Sequence, residues 1–320
     1  MFDPVAVTPE LVRALRGERS QAALCRRLRY ASNVVHLWES GRRTPSLAAT
    51  FWLAHRVGVD VEARLDRFLP TRTREGEPPW TVAGAARLLR DVQGGRTATA
   101  LGAALGRNRQ SVSRWLRGDA EPDLPDAVAL VQACSARGLD FLAVFVDPGT
   151  LPATAEAWRR LQDARALVRE RPWSAAVLLA LELEGYRRLP AHQPGWIAAR
   201  LGLPAEVEAE ALTLLAAAGH IREEGGRWAP VGGVLYDVNT PERSVDLRRF
   251  WTGVSLERTR PGPGCSGAWH LFTCSEADFQ RLRELQKDFF RELRAVAAAS
   301  GPMERLVLAQ MQLVVLADGE

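Results

Sequence analysis

The sequence repeats itself at a fixed offset of 77 residues. Residues 11–47 lie on residues 88–124 without a gap: Leu11 on Leu88, Gly17 on Gly94, Arg19 on Arg96, Leu24 on Leu101, Leu28 on Leu105 and Val35 on Val112. Trp38 meets Trp115, Gly41 meets Gly118, Pro45 meets Pro122 and Leu47 meets Leu124. Apolar residues coincide between any two amphipathic helices, but Trp, Gly and Pro coinciding at one offset mark a duplication. Whatever the first segment folds into, the second folds into as well.

The second copy is read most easily. Thr97 can cap a short helix running through Leu101 and Leu105, and Gly106 supplies a tight turn where positive φ is cheap. Asn108 can cap a helix from about Arg109 to Arg117, stopped by Gly118. Val112 and Trp115, three apart, share the inward face and leave Arg109, Gln110, Ser113, Arg114 and Arg117 outside. The first copy follows suit. Ser20 caps a helix through Leu24 and Leu28, a turn falls at Arg29-Tyr30, and a helix runs from about Ser32 to Ser40 before Gly41. Val35 and Trp38 point in, Ser32, Asn33, His36 and Leu37 point out, and Arg42 and Arg43 follow directly. A helix, a short turn and a second helix with a polar, basic outer face is the geometry that places a helix in a major groove.

Both copies resemble the helix-turn-helix family of the phage Cro and repressor proteins, the xenobiotic-response-element type. The matching residues are Ser20-Gln21, Leu24, Val35, Trp38-Glu39, Gly41 and Pro45 in the first copy. In the second they are Leu101, Gly102, Gly106, Val112, Trp115, Gly118 and Pro122. The resemblance covers roughly residues 1–148. It implies a four- or five-helix bundle in a bacterial regulator, with Gln21 and the start of the third helix, Asn108 in the second copy among them, near double-stranded DNA. Three departures stand out. Arg29 occupies a position where the family prefers Gly. Ala98 replaces Gln21 in the second copy, and Asp119 and Glu121 stand where the first has Arg42 and Thr44.

Charge distribution agrees with a nucleic-acid partner near the N-terminus. The net charge of +4 divides into +4 for residues 1–70, +1 for 71–150, zero for 151–230 and −1 for 231–320. Cations are almost all arginine, with Lys287 the only lysine. The guanidinium fork suits phosphate and guanine, but the bias runs through the whole chain. Apolar residues make up 47% and charged residues 25%, which places the chain in the soluble globular class, with length for two to four domains. Met1–Glu10 has no signal-peptide pattern and no long apolar run follows, so the expected setting is cytoplasmic, without a membrane. Cys25, Cys134, Cys265 and Cys274 form no C-x-x-C pair, and no disulfide framework or metal site is expected.

The expected architecture is mainly α. Two tandem helix-turn-helix bundles, residues 1–70 and 80–148, are joined by a proline-rich linker at 70–80. A winged-helix-like module follows over 153–230 and a small α/β element over 231–320. Ala155–Arg169 and Ser174–Tyr186 read as helices. Gly195–Leu201, Ala205–Ala218 and a hairpin over Ile221–Ala229 read as the winged unit. Its second helix carries Glu206, Glu208 and Glu210 and no basic residue, so three outward carboxylates argue against phosphate contact. At the end, a strand at Ala268–Thr273, a helix at Glu276–Ser300 capped by Ser275 and a strand at Arg305–Leu316 are expected. Phe279, Leu282, Leu285, Phe289 and Leu293 form an apolar stripe on that helix. This order of elements resembles a C-terminal domain of unknown function found in some bacterial regulators, and the resemblance implies dimerisation or sensing of a small-molecule or protein effector.

No H-E-x-x-H, G-x-S-x-G, Walker loop or dinucleotide fingerprint occurs, so neither enzyme activity nor a cofactor is expected. Gly262-Pro263-Gly264 reads as a flexible loop. Two functions follow: a sequence-specific, homodimeric transcription regulator with two major-groove readers per chain, or an antitoxin-like or scaffold protein whose main contacts are with a protein partner.

Overall fold

The computed structural model describes residues 2–231, 245–260, 264–268 and 270–317. It is mainly α: the described residues form seventeen α-helices and one two-stranded antiparallel sheet. None of these helices is long and apolar enough to cross a membrane. The chain divides into two compact units, the first ending at Asp163 and the second starting at Ala164.

In the first unit each repeat makes five helices. The first gives α1 (Pro4–Arg16), α2 (Gln21–Leu28), α3 (Val34–Glu39), α4 (Leu47–Val57) and α5 (Val61–Phe68). The second gives α6 (Val82–Gln93), α7 (Ala98–Leu105), α8 (Arg109–Arg117), α9 (Leu124–Ser135) and α10 (Gly138–Leu142). Local chemistry sets most boundaries. Ser20 accepts from the Ala23 N–H, Thr97 from Ala100 and Asn108 from Ser111, each satisfying a donor the helix leaves free. Gly106 ends α7 at φ 62°, and Arg29, its counterpart, ends α2 at φ 63°. Glycine adopts this left-handed backbone freely, whereas a residue with a Cβ loses about 1–2 kcal/mol there.

The two repeats share one core. It runs continuously from Val7 to Leu151 and takes in both Trp38 and Trp115. Between the repeats, Ser46 pairs with Asp123 in an isolated antiparallel bridge. The Leu47 N–H donates to the Pro122 carbonyl at 3.0 Å, and the Leu124 N–H donates to the Pro45 carbonyl at 2.9 Å. Thr44 Oγ1 donates to Asp123 Oδ2 at 3.0 Å. α1 packs against α9, and its counterpart α6 packs against α4. Residues 70–80, read as a linker, are part of this fold. Arg72 is buried and paired with Glu62 and Asp66, as a guanidinium removed from water must be. Thr73 bonds twice to Asp91, at 2.7 and 3.1 Å.

The second unit begins within α11 (Ala155–Glu170). The single helix expected over 174–186 is two, α12 (Trp173–Ala180) and α13 (Glu184–Arg187), separated by a turn at 181–183. Then come α14 (Trp196–Leu201), α15 (Ala205–Ala217) and the hairpin of β1 (Ile221–Glu224) and β2 (Arg227–Pro230). Ile221 pairs with Pro230 and Glu224 with Arg227, leaving Gly225 and Gly226 at the tip with φ 57° and 76°. Both are left-handed, as a two-residue hairpin turn requires. α16 (Val245–Arg258) had no counterpart in the sequence reading, and its Phe250 and Trp251 rings meet Trp173 edge-on at 5.7 and 5.3 Å.

Among the described residues, the α/β ending expected over 231–320 has its helix but not its two strands. α17 (Glu276–Ala299) is present and Ser275 caps it, but residues 264–268, 270–275 and 301–317 hold neither helix nor strand. A strand is stable only with a partner beside it, and neither apolar segment pairs with one among the described residues. Residues 301–317 are held instead by single contacts. The Met303 carbonyl accepts from the Glu184 N–H at 2.8 Å, and the Met311 carbonyl accepts from Gln286 Nε2 at 2.7 Å. Residues 232–244, 262, 263 and 269, on which parts of the expected loop, strand and final domain fall, lie outside the described residues. The stripe on α17 is only partly covered among the described residues: Leu285 and Phe289 are exposed, and Phe279, Leu282 and Leu293 are half-buried.

Candidate nucleic-acid interface

The outer face of α8 is the most complete element of the candidate site. Asn108 accepts the Ser111 N–H at 2.7 Å and starts the helix, and Gly118, at φ 84°, ends it. Val112, Trp115 and Leu116 are buried, which turns Arg109, Gln110, Arg114 and Arg117 toward solvent. Ser113 is half-buried and accepts from Arg117 Nη1 at 2.8 Å, while Arg117 Nε reaches Asp119 at 2.7 Å. Arg117 is therefore held along its own helix by the acidic residue that replaces Arg42 in this copy. Arg109 and Arg114 form no ion pair among the described residues.

The first copy differs in detail. α3 starts at Val34, not at Ser32, because Asn33 is its cap and accepts the His36 N–H at 3.2 Å. Ser32 is therefore outside the helix, and it and His36 are exposed. Asn33 also accepts from Cys25 Sγ at 3.5 Å and donates to Gln21 Oε1 at 3.5 Å. Gln21 Nε2 donates to Glu39 at 2.7 Å, and Arg16 pairs with the same carboxylate, which is 6% exposed. This chain, Cys25–Asn33–Gln21–Glu39–Arg16, ties α1, α2 and α3 together. Gln21 and Asn33, expected as DNA contacts, have their amide groups engaged within the protein. Glu39 is the partner that sequence reasoning missed: it stood in the matched Trp38-Glu39 pair, but its 18-residue separation from Gln21 leaves no local signal.

Arg42 and Arg43 are exposed directly after α3, and the Arg43 N–H closes the turn on the Leu37 carbonyl at 3.1 Å. Tyr30 sits edge-on to Trp38 with ring centres 5.6 Å apart. Partial burial, then the Glu121 carboxylate, push its hydroxyl pKa above the ordinary value, so it stays a neutral donor. In the second copy Arg107 pairs with Asp126 at 3.0 Å. Burial nevertheless holds the Asp126 carboxyl above the usual range, with Arg107 opposing it. Among the described residues no group of three or more His, Cys, Asp or Glu could hold a metal ion.

The winged module corrects one expectation. Glu206 and Glu210 are exposed on α15, but Glu208 is buried. Glu208 Oε2 accepts the Ala198 N–H at 2.6 Å, satisfying the first turn of α14. Its other oxygen lies 3.9 Å from His192 Nε2, and His192 Nδ1 is 3.1 Å from the Tyr186 hydroxyl, which accepts the Trp228 N–H at 3.2 Å. The buried carboxylate thus joins α14, α15 and the hairpin. Glu210 is paired with Arg171 at 2.7 Å.

Comparison with curated proteins and with solved structures found no match. The family comparison matched residues 152–316, which leaves both repeats outside the matched span. That span, just over half of the 320 residues, matches the family described as domain of unknown function (DUF4423), and the chain belongs to that family.

Proposed function

We propose that this chain is a sequence-specific DNA-binding transcription regulator of bacterial type, with α3 and α8 as its major-groove readers. The observation that carries the reading is α8: a capped helix, entered through a tight glycine turn, that buries Val112 and Trp115 and presents Arg109, Gln110 and Arg114 to solvent. A counterpart helix, α3, lies at an offset of 77 residues; it is entered at Arg29 instead of a glycine, has His36 on its exposed face, and has Arg42 and Arg43 exposed beside it. Arginine at such positions reads guanine through two parallel hydrogen bonds, and flanking arginines neutralise phosphates.

The test is titration of the full chain with genomic DNA fragments at several salt concentrations. Affinity should fall with a log–log slope of about −0.9 per phosphate contact. A flat salt response would refute DNA binding. A second reading, contact with a protein partner or a second copy, is favoured by the partly covered stripe on α17, where Leu285 and Phe289 are exposed among the described residues. Sedimentation of the full chain tests it: a concentration-independent monomer removes the homodimer.

A further inference from the structure

The geometry points to a preassembled double reader: one chain binds an inverted pair of unlike half-sites, one helical turn apart, with α8 in one major groove and α3 in the next. This rests on the DNA-binding reading above and adds to it the form of the target and the number of chains that occupy it.

Ser46 and Asp123 occupy the same position in their respective copies, and they pair with each other. The flanking bonds are reciprocal: Leu47 N–H to Pro122, and its equivalent Leu124 N–H to Pro45. The helix contacts exchange in the same way, α1 with α9 and α6 with α4, while α4 meets its own counterpart α9. Copies related by a simple shift would pair unlike positions. A position that meets its own equivalent, with reciprocal contacts around it, marks a two-fold rotation. The first unit therefore has the interface of a symmetric dimer built inside one chain. That interface is core: Leu47 and Leu124 are each 0% exposed.

A two-fold relation fixes the polarity of the target. Readers related by a shift along the duplex would meet direct repeats. Readers related by a two-fold axis meet inverted ones. Chain length then bounds the spacing. α3 ends at Glu39 and the bridge lies at Ser46; α8 ends at Arg117 and the bridge lies at Asp123. Fully extended, such a segment spans at most about 25 Å. Adding about 5 Å for half of a short helix keeps the two reader centres within about 60 Å. Half-sites one turn apart need about 34–36 Å and fit, whereas two turns, about 70 Å, lie out of reach.

The two half-sites are unlike because the readers are unlike. Arg109, Ser113 and Arg114 of the second copy correspond to Ser32, His36 and Leu37 of the first. Arg114 suits a guanine, whereas Leu37 has no polar group and suits a thymine methyl. The flanks reverse the balance, with Arg42 and Arg43 opposite Asp119 and Ala120. The first copy grips the backbone more firmly, and the second reads more of the sequence.

The test uses the full chain. Duplexes bound from a random-sequence library are sequenced, and the enriched duplex is titrated to saturation above its Kd. The expected result is two unlike half-sites in inverted orientation, centred 10–11 base pairs apart, with one chain per duplex. Arg114→Ala, at an exposed position, should relax sequence preference in one half-site only and weaken binding about 5- to 150-fold. The double variant Arg42→Ala, Arg43→Ala should weaken all sequences alike and flatten the salt slope by about 2. Circular dichroism checks that both variants fold. A direct repeat, two chains per duplex, or loss of preference in both halves on changing Arg114 would each overturn the inference while leaving DNA binding intact. Absence of any enriched sequence, with a flat salt response, would overturn both.

Discussion

Replacing Leu47 by alanine tests whether the repeats are one folding unit. Leu47 is 0% exposed, begins α4 and donates its N–H to Pro122 of the other repeat. Removing three carbons from a fully buried leucine costs about 2–5 kcal/mol, the transfer loss plus the cavity left behind. Since the core is continuous from Val7 to Leu151, that loss belongs to both repeats. Native-state hydrogen exchange of the full chain separates the possibilities, because amides of α4 and α9 are read independently. The most protected amides in both helices should exchange faster by the same factor, about 30- to 5,000-fold. If α4 loses protection while α9 keeps it, the repeats fold separately and the shared core carries no cooperativity.

Arg29→Gly should stabilise the first unit by about 0.5–1 kcal/mol, since relief of left-handed strain exceeds the entropy that glycine adds to the unfolded chain; an unchanged or lower Tm contradicts this. Glu208→Ala removes the acceptor of a buried N–H and should cost about 1–3 kcal/mol, whereas Glu208→Gln, which keeps an acceptor oxygen, should cost less. Equal urea midpoints for the two variants would count against the buried cap. Burial pushes the Cys134 thiol up to about 12, with Arg96 opposing; at pH 8 it should react with a disulfide reagent about a thousand-fold more slowly than an unshifted cysteine, while Cys265 and Cys274, both exposed, react fast. The raised value also means that the thiol's contribution to stability is full below pH 9 and is lost as pH rises toward 12, because the unfolded chain ionises first.

What the sequence disclosed was local. Ser20, Thr97, Asn108 and Ser275 cap the helices they precede, and Gly106 and Gly118 end the helices they follow, because a cap or a positive φ depends on a few neighbouring residues. What escaped it was pairing at a distance. Nothing near Ser46 reveals that it meets Asp123. Glu208 looked like one of three outward carboxylates because the α14 N–H it serves lies ten residues away. The segment Arg305–Leu316 alternates as a strand should, but alternation does not supply a neighbouring edge. α16 was missed although Leu247, Phe250, Trp251 and Val254 follow the i, i+3, i+4, i+7 pattern of a helix face. Of the candidate site, the exposed face of α8 was legible, whereas on α3 only His36 lies exposed as expected, Leu37 being half-buried and Ser32 outside the helix. The chain from Cys25 to Arg16 that engages Gln21 and Asn33 was not legible, since it joins three helices.

The reciprocal bridge also governs how the chain can be made. Synthesis releases the first repeat as far as Phe68 well before α9 is complete at Ser135, an interval of roughly 3–13 s at ordinary elongation rates. Throughout that interval α1 lacks α9, one of the helices it packs against, and the Leu47 N–H lacks the Pro122 carbonyl. The first repeat leaves the ribosome as half of a folding unit, its core open on the side that its twin will close. A chain cut between residues 70 and 120 keeps all five helices of the first repeat and still presents that open face, a substrate for proteases and for chaperones that bind exposed apolar surface.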